Sequence, residues 1–328
     1  MAEIRVGNKG RFVVSIGETI LEAGLGAGFG FPKACRNGNC GRCAGRLING
    51  EVRLGNTLLR AGDEGSDQVL YCIATAETDC EIDAAMITAP GELPVASLRC
   101  QIAAIQPLNH NVSAVTLRLP AGQKLDWHAG QYLLLGEQQD AAFSIANAAA
   151  EGNRDILLHI RHDPDNLSAL ELMTQLQQQS TVPVTLPLGN RWIDQAPSQP
   201  VWFICGSTGF APARAMIERL MQLDFRLPVR LFRGGRRADD IYPAQWRSDP
   251  ALTLQDFQQT LAVNEAPASG QFHGMVHEAA IQALQDPAMP LFHVGGSPVM
   301  AWAVFDALVD AGVPAHHIHS DVFDYAPR

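Results

Sequence analysis

The chain has 328 residues, of which 47% are hydrophobic and 18% charged, and its net charge at pH 7 is −10. This length predicts two or three domains with hydrophobic cores. The negative charge is spread along the chain, which disfavours nucleic acids and anionic membranes as partners. The sequence has neither an apolar run long enough for a bilayer nor a basic-then-apolar leader, so we expect a cytoplasmic protein with reduced cysteines.

Two proline-rich segments predict the domain boundaries: "APGELP" at 89–94 and "APSQP" at 196–200. Proline ends helices and central strands, so such clusters usually connect folded units. They divide the chain into residues 1–93, 94–198 and 199–328, pieces of about a hundred residues each.

The three pieces carry different patterns. The first combines short strands ("RFVVSI", "GRLING") with a helix over Thr19–Ala27. The middle piece contains only short β-rich runs, among them "SAVTLRLP" and "DILLHIRH", which are typical of a barrel or sandwich. The last piece alternates strands ("PVWFICG", "PVRLFRGG", "PLFHVGG") with helices over Pro212–Leu223, His277–Leu284 and Pro298–Ala311, and closes on "HIHSDVF". This alternation predicts a parallel sheet with helices on both faces.

Four cysteines of the first piece have the spacing C-x4-C-x2-C-x28-C; they are Cys35, Cys40, Cys43 and Cys72. Structural zinc usually takes two paired ligands, and here the fourth cysteine is single. A disulfide framework is disfavoured in a reducing compartment. The spacing is that of a plant-type [2Fe–2S] cluster, which we predict these cysteines hold.

The residues between these cysteines suit the same cluster. Gly38 and Gly41 allow the backbone to wrap closely around sulfur atoms that accept N–H groups. Arg36 and Arg42 add positive charge beside an anionic cluster. The other three cysteines, Cys80, Cys100 and Cys205, are predicted to be small buried hydrophobes.

With these features in this order, the chain resembles the reductase components of bacterial oxygenases and the CDP-6-deoxy-3,4-glucoseen reductases. The resemblance implies a multi-domain α+β and α/β protein: a β-grasp ferredoxin domain, an antiparallel β-barrel that binds flavin, and a parallel-sheet domain that binds NAD(P). It also implies a [2Fe–2S] cluster, FAD in preference to FMN, and NADH or NADPH as cofactors.

The barrel of this family marks its flavin site with R-x-Y-S followed by Asn, and the matching run is "AAFSIAN" at 141–147. The resemblance implies that Ser144 hydrogen-bonds the flavin ring, that Phe143 stacks on it, and that Asn147 belongs to the site. Ala141 stands in place of the arginine that contacts flavin phosphate. Such a charge-assisted contact contributes substantially to cofactor binding.

A second phosphate-contacting segment of the family corresponds to "DPDNLSAL". Ser168 matches its hydroxyl residue, but Asp165 and Asn166 replace glycines. Arg161, in "LHIRH", is a candidate to supply the missing positive charge. Two interpretations stay open: flavin binds through altered phosphate contacts, or the barrel has lost flavin and persists as a scaffold.

In the last piece, "CGSTGFAP" resembles the nucleotide-binding turn of the family, with Gly206, Thr208 and Gly209 in matching positions. It follows a strand and opens a helix, where backbone N–H groups bind pyrophosphate. "GGSPVM", which contains Gly296, corresponds to the nicotinamide segment C-G-x-P-x-M. Gly295 replaces its cysteine, a change that we expect to slow hydride transfer or alter its geometry.

Three further features concern the same piece. Arg236 and Arg237 follow the second strand, where they either bind a 2′-phosphate or form a solvated charge cluster with Asp239 and Asp240; the resemblance favours NADH. Phe323 is expected to approach the flavin. His316, His317 and His319 are assigned to a surface loop.

These observations predict an NAD(P)H-dependent oxidoreductase that passes electrons through flavin and the [2Fe–2S] cluster to a partner oxygenase, dehydratase or ferredoxin. A non-enzymatic iron–sulfur carrier or docking protein, whose reductase half has lost flavin, is the alternative. An enzyme acting on a different metabolite in the altered pocket is a third.

Overall fold

The computed structural model describes residues 1–33, 35–41, 43–83, 87–137, 141–284 and 289–326. Arg42, predicted to add charge near the cluster, lies outside them. The chain forms two compact units, Met1–Pro94 and Val95–Arg328; the predicted further division at residue 198 stays a prediction. Among the described residues, no helix is both long and apolar enough to span a bilayer.

The first unit is a mixed sheet with one helix. Its elements in chain order are β1 (Ala2–Val6), β2 (Arg11–Val14), α1 (Ile20–Gly26), β3 (Ala44–Gly45), β4 (Leu47–Asn49), β5 (Glu51–Leu54), β6 (Thr57–Arg60), a 3-10 turn (Ser66–Gln68), β7 (Val69–Leu70), β8 (Ala74–Ala76) and β9 (Cys80–Ile82). The main sheet has the order β2-β1-β9-β4, with β1 parallel to β9 and antiparallel to β2. This is the predicted β-grasp arrangement.

Helix α1 covers this sheet because one of its faces is apolar. Ile20, Leu21 and Ala23 are buried in the core of the unit, together with Phe12 and Phe31. Thr19 caps the helix, its side chain accepting from the N–H of Glu22 at 3.2 Å. The predicted helix over Thr19–Ala27 is confirmed, with its first and last residues acting as caps.

The second unit begins with an antiparallel sheet of the order β13-β12-β15-β10-β11-β14. Ile145, just after β13, bridges Leu158 in β14 and so links the two edge strands, which closes the sheet towards the predicted barrel. Its elements are β10 (Ala96–Pro107), β11 (Val112–Arg118), β12 (Tyr132–Leu135), β13 (Ala141–Ser144), β14 (Asp155–Arg161), α2 (Leu167–Gln178) and β15 (Thr181–Leu188).

The same unit ends in a six-stranded sheet in which every pairing is parallel, in the order β19-β18-β17-β16-β20-β21. Its elements are β16 (Val201–Gly206), a 3-10 turn (Ser207–Gly209), α3 (Phe210–Gln222), β17 (Val229–Gly235), a 3-10 turn (Ala238–Asp240), α4 (Pro250–Thr253), β18 (Phe257–Val263), β19 (Phe272–His273), α5 (Val276–Ala283), β20 (Leu291–Gly295), α6 (Pro298–Asp310), a 3-10 turn (Ala315–His317), β21 (Ile318–His319) and α7 (Val322–Tyr325).

The strand order of this sheet predicts a ligand-binding crevice beside β16, the first of its strands in the chain. β16 lies between β17 and β20, so the chain reverses its direction of growth there. In parallel sheets, ligands bind at the carboxyl ends of the strands at such a reversal. The closing segment "HIHSDVF" contains strand β21 and the start of helix α7, which holds Phe323. The assignment of His319 to a surface loop was wrong, because this residue pairs in β21 with His293 of β20.

Candidate functional site

The four cysteines of the first unit lie in two pairs. Cys35 and Cys40 are exposed, and the N–H of Cys40 donates to Cys35 Sγ at 3.3 Å. Cys43 and Cys72 are buried, with a hydrogen bond between their thiols. Within the described residues, no three His, Cys, Asp or Glu side chains converge as ligands of a single ion would. Two pairs of thiolates are what a two-iron cluster with four cysteine ligands requires, so the residues present fit [2Fe–2S].

The loop around these thiols presents N–H donors. The N–H groups of Asn37 and Cys40 and the Cys40 thiol lower the pKa of Cys35 to about 6. Burial, followed by the Cys43 thiol, raises the pKa of Cys72 to about 11. Gly38 and Gly41 have positive φ (+83° and +69°), the conformation for which glycine is suited. The backbone is therefore shaped to surround anionic sulfur.

The described residues of the second unit enclose a large opening, called here the main cavity, with a volume of about 970 Å³. Known ligand pockets reach this size. The cavity lies between the barrel and the carboxyl ends of the parallel strands. It is lined by Tyr132, Ala142, Phe143, Ser144, His159, Arg161, Gly189, Asn190, Thr208, Gly209, Ala211, Pro212, Val294, Gly295, Gly296, Ser320, Asp321, Val322, Asp324 and Tyr325.

Strand β13 places two of the predicted flavin residues in this cavity. Ser144 pairs with Tyr132 in β12, and Phe143 pairs with Leu133. Phe143 is partly buried against the barrel core. Tyr132 and Phe143 give the cavity aromatic walls, and the hydroxyl of Ser144 faces the same space. These groups fit a planar heteroaromatic ring with hydrogen-bonding nitrogens.

Asn147 is buried outside the main cavity, and its side chain is used by the backbone. Its Oδ1 accepts from the N–H of Leu157 at 2.7 Å, and its Nδ2 donates to the carbonyl of Asp155 at 2.9 Å. Trp127 Nε1 donates to the Asn147 carbonyl at 2.8 Å. Asn147 therefore fixes the strand end that carries Ser144, and does not face the cavity as expected of a cofactor-binding residue.

Arg161 lines the main cavity and forms an ion pair with Asp163 at 2.6 Å. Ser168 is instead exposed in the first turn of α2 and does not line the cavity. Asn166 caps that helix, accepting from the N–H of Ala169 at 3.2 Å. Of the predicted phosphate-binding residues on the barrel, Arg161 alone reaches the cavity.

The nucleotide-binding turn and the nicotinamide segment meet at the opposite wall. Thr208 and Gly209 lead into α3, and Gly296 follows β20; all three line the cavity. Gly206 ends β16 outside the lining, where an added Cβ would lie 2.4 Å from Met300 Sδ. It therefore serves the packing of strand against helix α6.

The arginines at the predicted adenosine position are paired with acids. Arg236 lies 3.5 Å from Glu265, and Arg237 lies 3.6 Å from Asp239. The carboxylate of Asp240 accepts from the N–H of Arg237 at 2.9 Å. Neither arginine lines the main cavity. The solvated charge cluster considered above is the arrangement observed.

Phe323 does not line the cavity. It packs against Trp302 at 4.5 Å and Phe305 at 5.4 Å between ring centroids, because α7 turns it towards α6. Tyr325, two residues further along α7, lines the cavity and is 66% exposed. Sequence reasoning missed Tyr325, although it too is a terminal aromatic residue.

Two other lining residues had been missed. His159 is buried, its Nδ1 lies 3.0 Å from Tyr242 Oη, and burial lowers its pKa to about 3. Asp321 has its pKa raised to about 6 by burial, followed by the charge of Asp324. The apolar run "ILLHI" gave a signal for His159, since a polar residue buried in an apolar strand usually has a hydrogen-bond partner. Cys80, Cys100 and Cys205 are buried as predicted.

Comparison with known proteins agrees with this geometry. Residues 4–77 match the 2Fe-2S iron-sulfur cluster binding domain, and residues 203–305 match the oxidoreductase NAD-binding domain. The chain is 29% identical over 326 residues to the terephthalate 1,2-dioxygenase reductase component 1 of Comamonas sp, covering 96% of this chain and 95% of that one. It is 27% identical over 309 residues to the CDP-6-deoxy-L-threo-D-glycero-4-hexulose-3-dehydrase reductase of Yersinia pestis, covering 93% of each.

Solved structures share the fold. An Amycolatopsis cytochrome P450 reductase aligns with a TM-score of 0.65 at 24% identity over 98% of both chains. The ferredoxin reductase of carbazole 1,9a-dioxygenase aligns with a TM-score of 0.61 at 23% identity, again over 98% of both chains.

Proposed function

We propose that this chain, which belongs to the family of plant-type ferredoxins fused to a ferredoxin-NADP-reductase-like flavoprotein, passes electrons from NAD(P)H through flavin and a [2Fe–2S] cluster to a partner protein. The main cavity carries this proposal. Phe143 and Ser144 of the barrel face Thr208, Gly209 and Gly296 of the parallel sheet across one space. A hydride donor and its acceptor must be held in one such space to react.

In this cavity, FAD supplies the conversion between two-electron and one-electron transfer when it is bound. Phe143 stacks on its ring, and Ser144 offers a hydroxyl to a ring nitrogen. Arg161 lines the cavity and would supply positive charge to the phosphates in place of the arginine that Ala141 has replaced, giving up its ion pair with Asp163 to do so. Ser168, exposed on α2 and outside the cavity lining, is assigned no contact with the cofactor.

The parallel sheet binds the nicotinamide nucleotide. Backbone N–H groups at Thr208 and Gly209 are positioned for its pyrophosphate at the start of α3. Gly296 lines the wall nearest to where the nicotinamide would lie. We assign NADH as the donor, because Arg236 is paired with Glu265 and, unlike Arg161, does not line the main cavity.

The first unit provides the exit for single electrons. Cys35 and Cys40 would hold one iron, and Cys43 and Cys72 the other, with N–H groups of the loop balancing the negative charge of the sulfurs. By analogy with its relatives, the electron acceptor is a terminal oxygenase, a dehydratase or a ferredoxin. We also propose the three-way division at residues 93 and 198, and a cytoplasmic location.

The visible spectrum of the purified protein tests this function. We expect overlapping flavin and iron–sulfur bands, release of FAD on heating, and bleaching of both chromophores on anaerobic addition of NADH. Reduction of cytochrome c should then proceed with NADH as donor. Iron–sulfur bands without releasable flavin would contradict the proposal and favour the carrier alternative. Flavin that neither NADH nor NADPH bleaches would favour an enzyme with a different substrate.

A further inference from the structure

Asp321 lies at a junction between two cavities. It lines the main cavity, and it also lines a second space of about 30 Å³, called here the small cavity. Ser320, Gly209 and Gly295 line both spaces too. A water molecule needs roughly 15 Å³ of such space, so the small cavity is large enough to hold one beside Asp321.

The small cavity leads on to a third space. Arg191, His293 and His319 line the small cavity and also line an outer pocket of about 220 Å³. The outer pocket includes Gln195, an exposed residue, and so reaches the surface. The rings of His293 in β20 and His319 in β21 lie 5.5 Å apart between centroids. Polar side chains therefore continue from the main cavity through the sheet edge to solvent.

The pKa values of Asp321, His293 and His319 bear on whether these side chains can exchange protons. Burial, with the charge of Asp324, raises the pKa of Asp321 to about 6, against the opposing charge of Arg191. Burial, followed by the charges of His319 and Arg191, lowers the pKa of His293. Burial, followed by the charge of Arg191, lowers the pKa of His319, so both rings are neutral at pH 7. A neutral imidazole accepts a proton on one nitrogen and releases one from the other.

The other charged and titratable groups near Asp321 and His319 have their own partners or are exposed. Arg191 lies 3.4 Å from Asp324, and Tyr325 has its pKa raised by burial and by Asp321. His316 is exposed, and His317 Nδ1 lies 3.0 Å from the carbonyl of Pro290. In the described chain, no hydrogen-bond donor to the Asp321 carboxylate is found, which leaves that carboxylate available to a water.

The proposed function requires a proton to leave the main cavity. Oxidation of one NAD(P)H by two one-electron acceptors gives NAD(P)+, two reduced acceptors and one proton. The two electrons of the hydride leave through the cluster, and the proton needs a separate exit. We propose that Asp321 takes this proton and that His319 and His293 pass it, through a water in the small cavity, to the outer pocket. This proposal rests on the proposed function.

Proton release measured beside electron transfer tests this route. In weakly buffered solution with an indicator dye, NADH and excess cytochrome c should give one proton per NADH in step with cytochrome c reduction. Asp321→Asn should slow proton release about a hundredfold, while anaerobic flavin bleaching by NADH keeps its rate. His319→Gln should also slow release, and it serves if the first variant folds poorly. Asp310→Asn, at an exposed position, is the matched control that should behave as wild type.

Two further measurements separate proton transfer from a structural role. In Asp321→Ala, added formate should restore proton release, whereas formate should not affect the wild type. In the oxidised protein without NADH, the infrared band of a protonated carboxyl should titrate near pH 6 and be absent from Asp321→Asn. This titration reports on Asp321 even if NADH fails to bleach the flavin, so failure of the proposed function is seen separately. Unslowed release in Asp321→Asn, or equal slowing in Asp324→Asn, would overturn the route.

Discussion

The backbones of Gly209 and Gly295 are in direct contact: a Cβ built on Gly209 would lie 2.1 Å from the carbonyl carbon of Gly295, and one built on Gly295 would lie 2.2 Å from the carbonyl oxygen of Gly209. Gly209 ends the turn that leads into α3, and Gly295 ends the neighbouring strand β20. The contact therefore joins the nucleotide-binding turn to the nicotinamide segment. Gly295, which stands where the motif C-G-x-P-x-M has cysteine, is packed too closely against Gly209 for a larger side chain to fit without a shift of the backbone.

A side chain at position 295 should separate these two segments. We expect Gly295→Cys to lower the free energy of unfolding of the second unit by about 1–3 kcal/mol, because overpacked sites cost that much, and to weaken NADH binding. Urea denaturation and NADH titration measure the two effects. Gly26→Ala is the control, since an added Cβ meets nothing within 4 Å there. Unchanged stability together with tighter NADH binding would contradict the contact.

Arg161 and Ala141 should have opposite effects on flavin affinity. We expect Arg161→Gln to weaken FAD binding about tenfold, the effect of losing one charge-assisted hydrogen bond. Ala141→Arg, which restores the arginine typical of the family, should tighten binding by a similar factor. Equilibrium dialysis of the deflavinated protein measures both dissociation constants.

Arg118→Gln is the matched control for Arg161. Arg118 makes a bidentate ion pair with Asp155 on the same sheet, at 2.7 and 2.9 Å, and does not line the main cavity. FAD affinity should not change in this variant. If Arg118→Gln and Arg161→Gln weaken FAD binding equally, the effect belongs to the sheet and not to a phosphate contact.

Removal of one proposed cluster ligand should stop electrons after the flavin. Cys72→Ala is expected to lose the iron–sulfur bands and cytochrome c reduction, while NADH still bleaches the flavin, because the two cofactors lie in different units. Cys100→Ala removes a thiol fully buried in the barrel core and should keep both spectra. Persistence of the cluster bands in Cys72→Ala would contradict the ligand assignment.

The sequence allowed the fold to be predicted well where the patterns were local. The helix capped by Thr19 was predicted to within its caps, and the β-rich run "DILLHIRH" matches β14. Strand β18, "FQQTLAV", was missed because its first half is polar and partly exposed. Its pairing with β17 keeps it in the sheet, and that pairing is not encoded in its own residues.

The candidate site was harder to predict, since side-chain direction depends on tertiary packing. Phe143 and Ser144 were identified by their motif, and both line the main cavity. Phe323 was expected at the flavin and Tyr325 was not considered, because the short helix α7 that sets the direction of both side chains has no local signature. Asp321 could not be predicted from the sequence, because its position between two cavities depends on the tertiary structure.

Coenzyme preference should depend on Glu265. Its carboxylate neutralises Arg236 at 3.5 Å, and a 2′-phosphate would have to displace it. We expect Glu265→Gln to raise kcat/KM for NADPH about tenfold and to leave that for NADH nearly unchanged, since the freed guanidinium can pair with phosphate. Asp256→Asn is the control, because Asp256 pairs with Arg230 near the start of β17, the strand that ends before Arg236. An unchanged ratio of NADPH to NADH activity would show that Arg236 does not reach the nucleotide.

His159 should contribute to the loss of stability in acid. Its pKa is about 3 in the folded chain, because of burial and then the charges of Arg214 and Arg233, against 6.5 in the unfolded chain. The folded pKa is the lower one, so this contribution is fully present above pH 6.5 and decreases as the pH falls towards 3. Between pH 6.5 and 5, wild type should lose about 2 kcal/mol that His159→Gln does not lose. Tryptophan fluorescence in urea measures this, since all five tryptophans lie in the second unit; His316→Gln should keep the wild-type slope, and equal slopes in all three proteins would contradict the assignment.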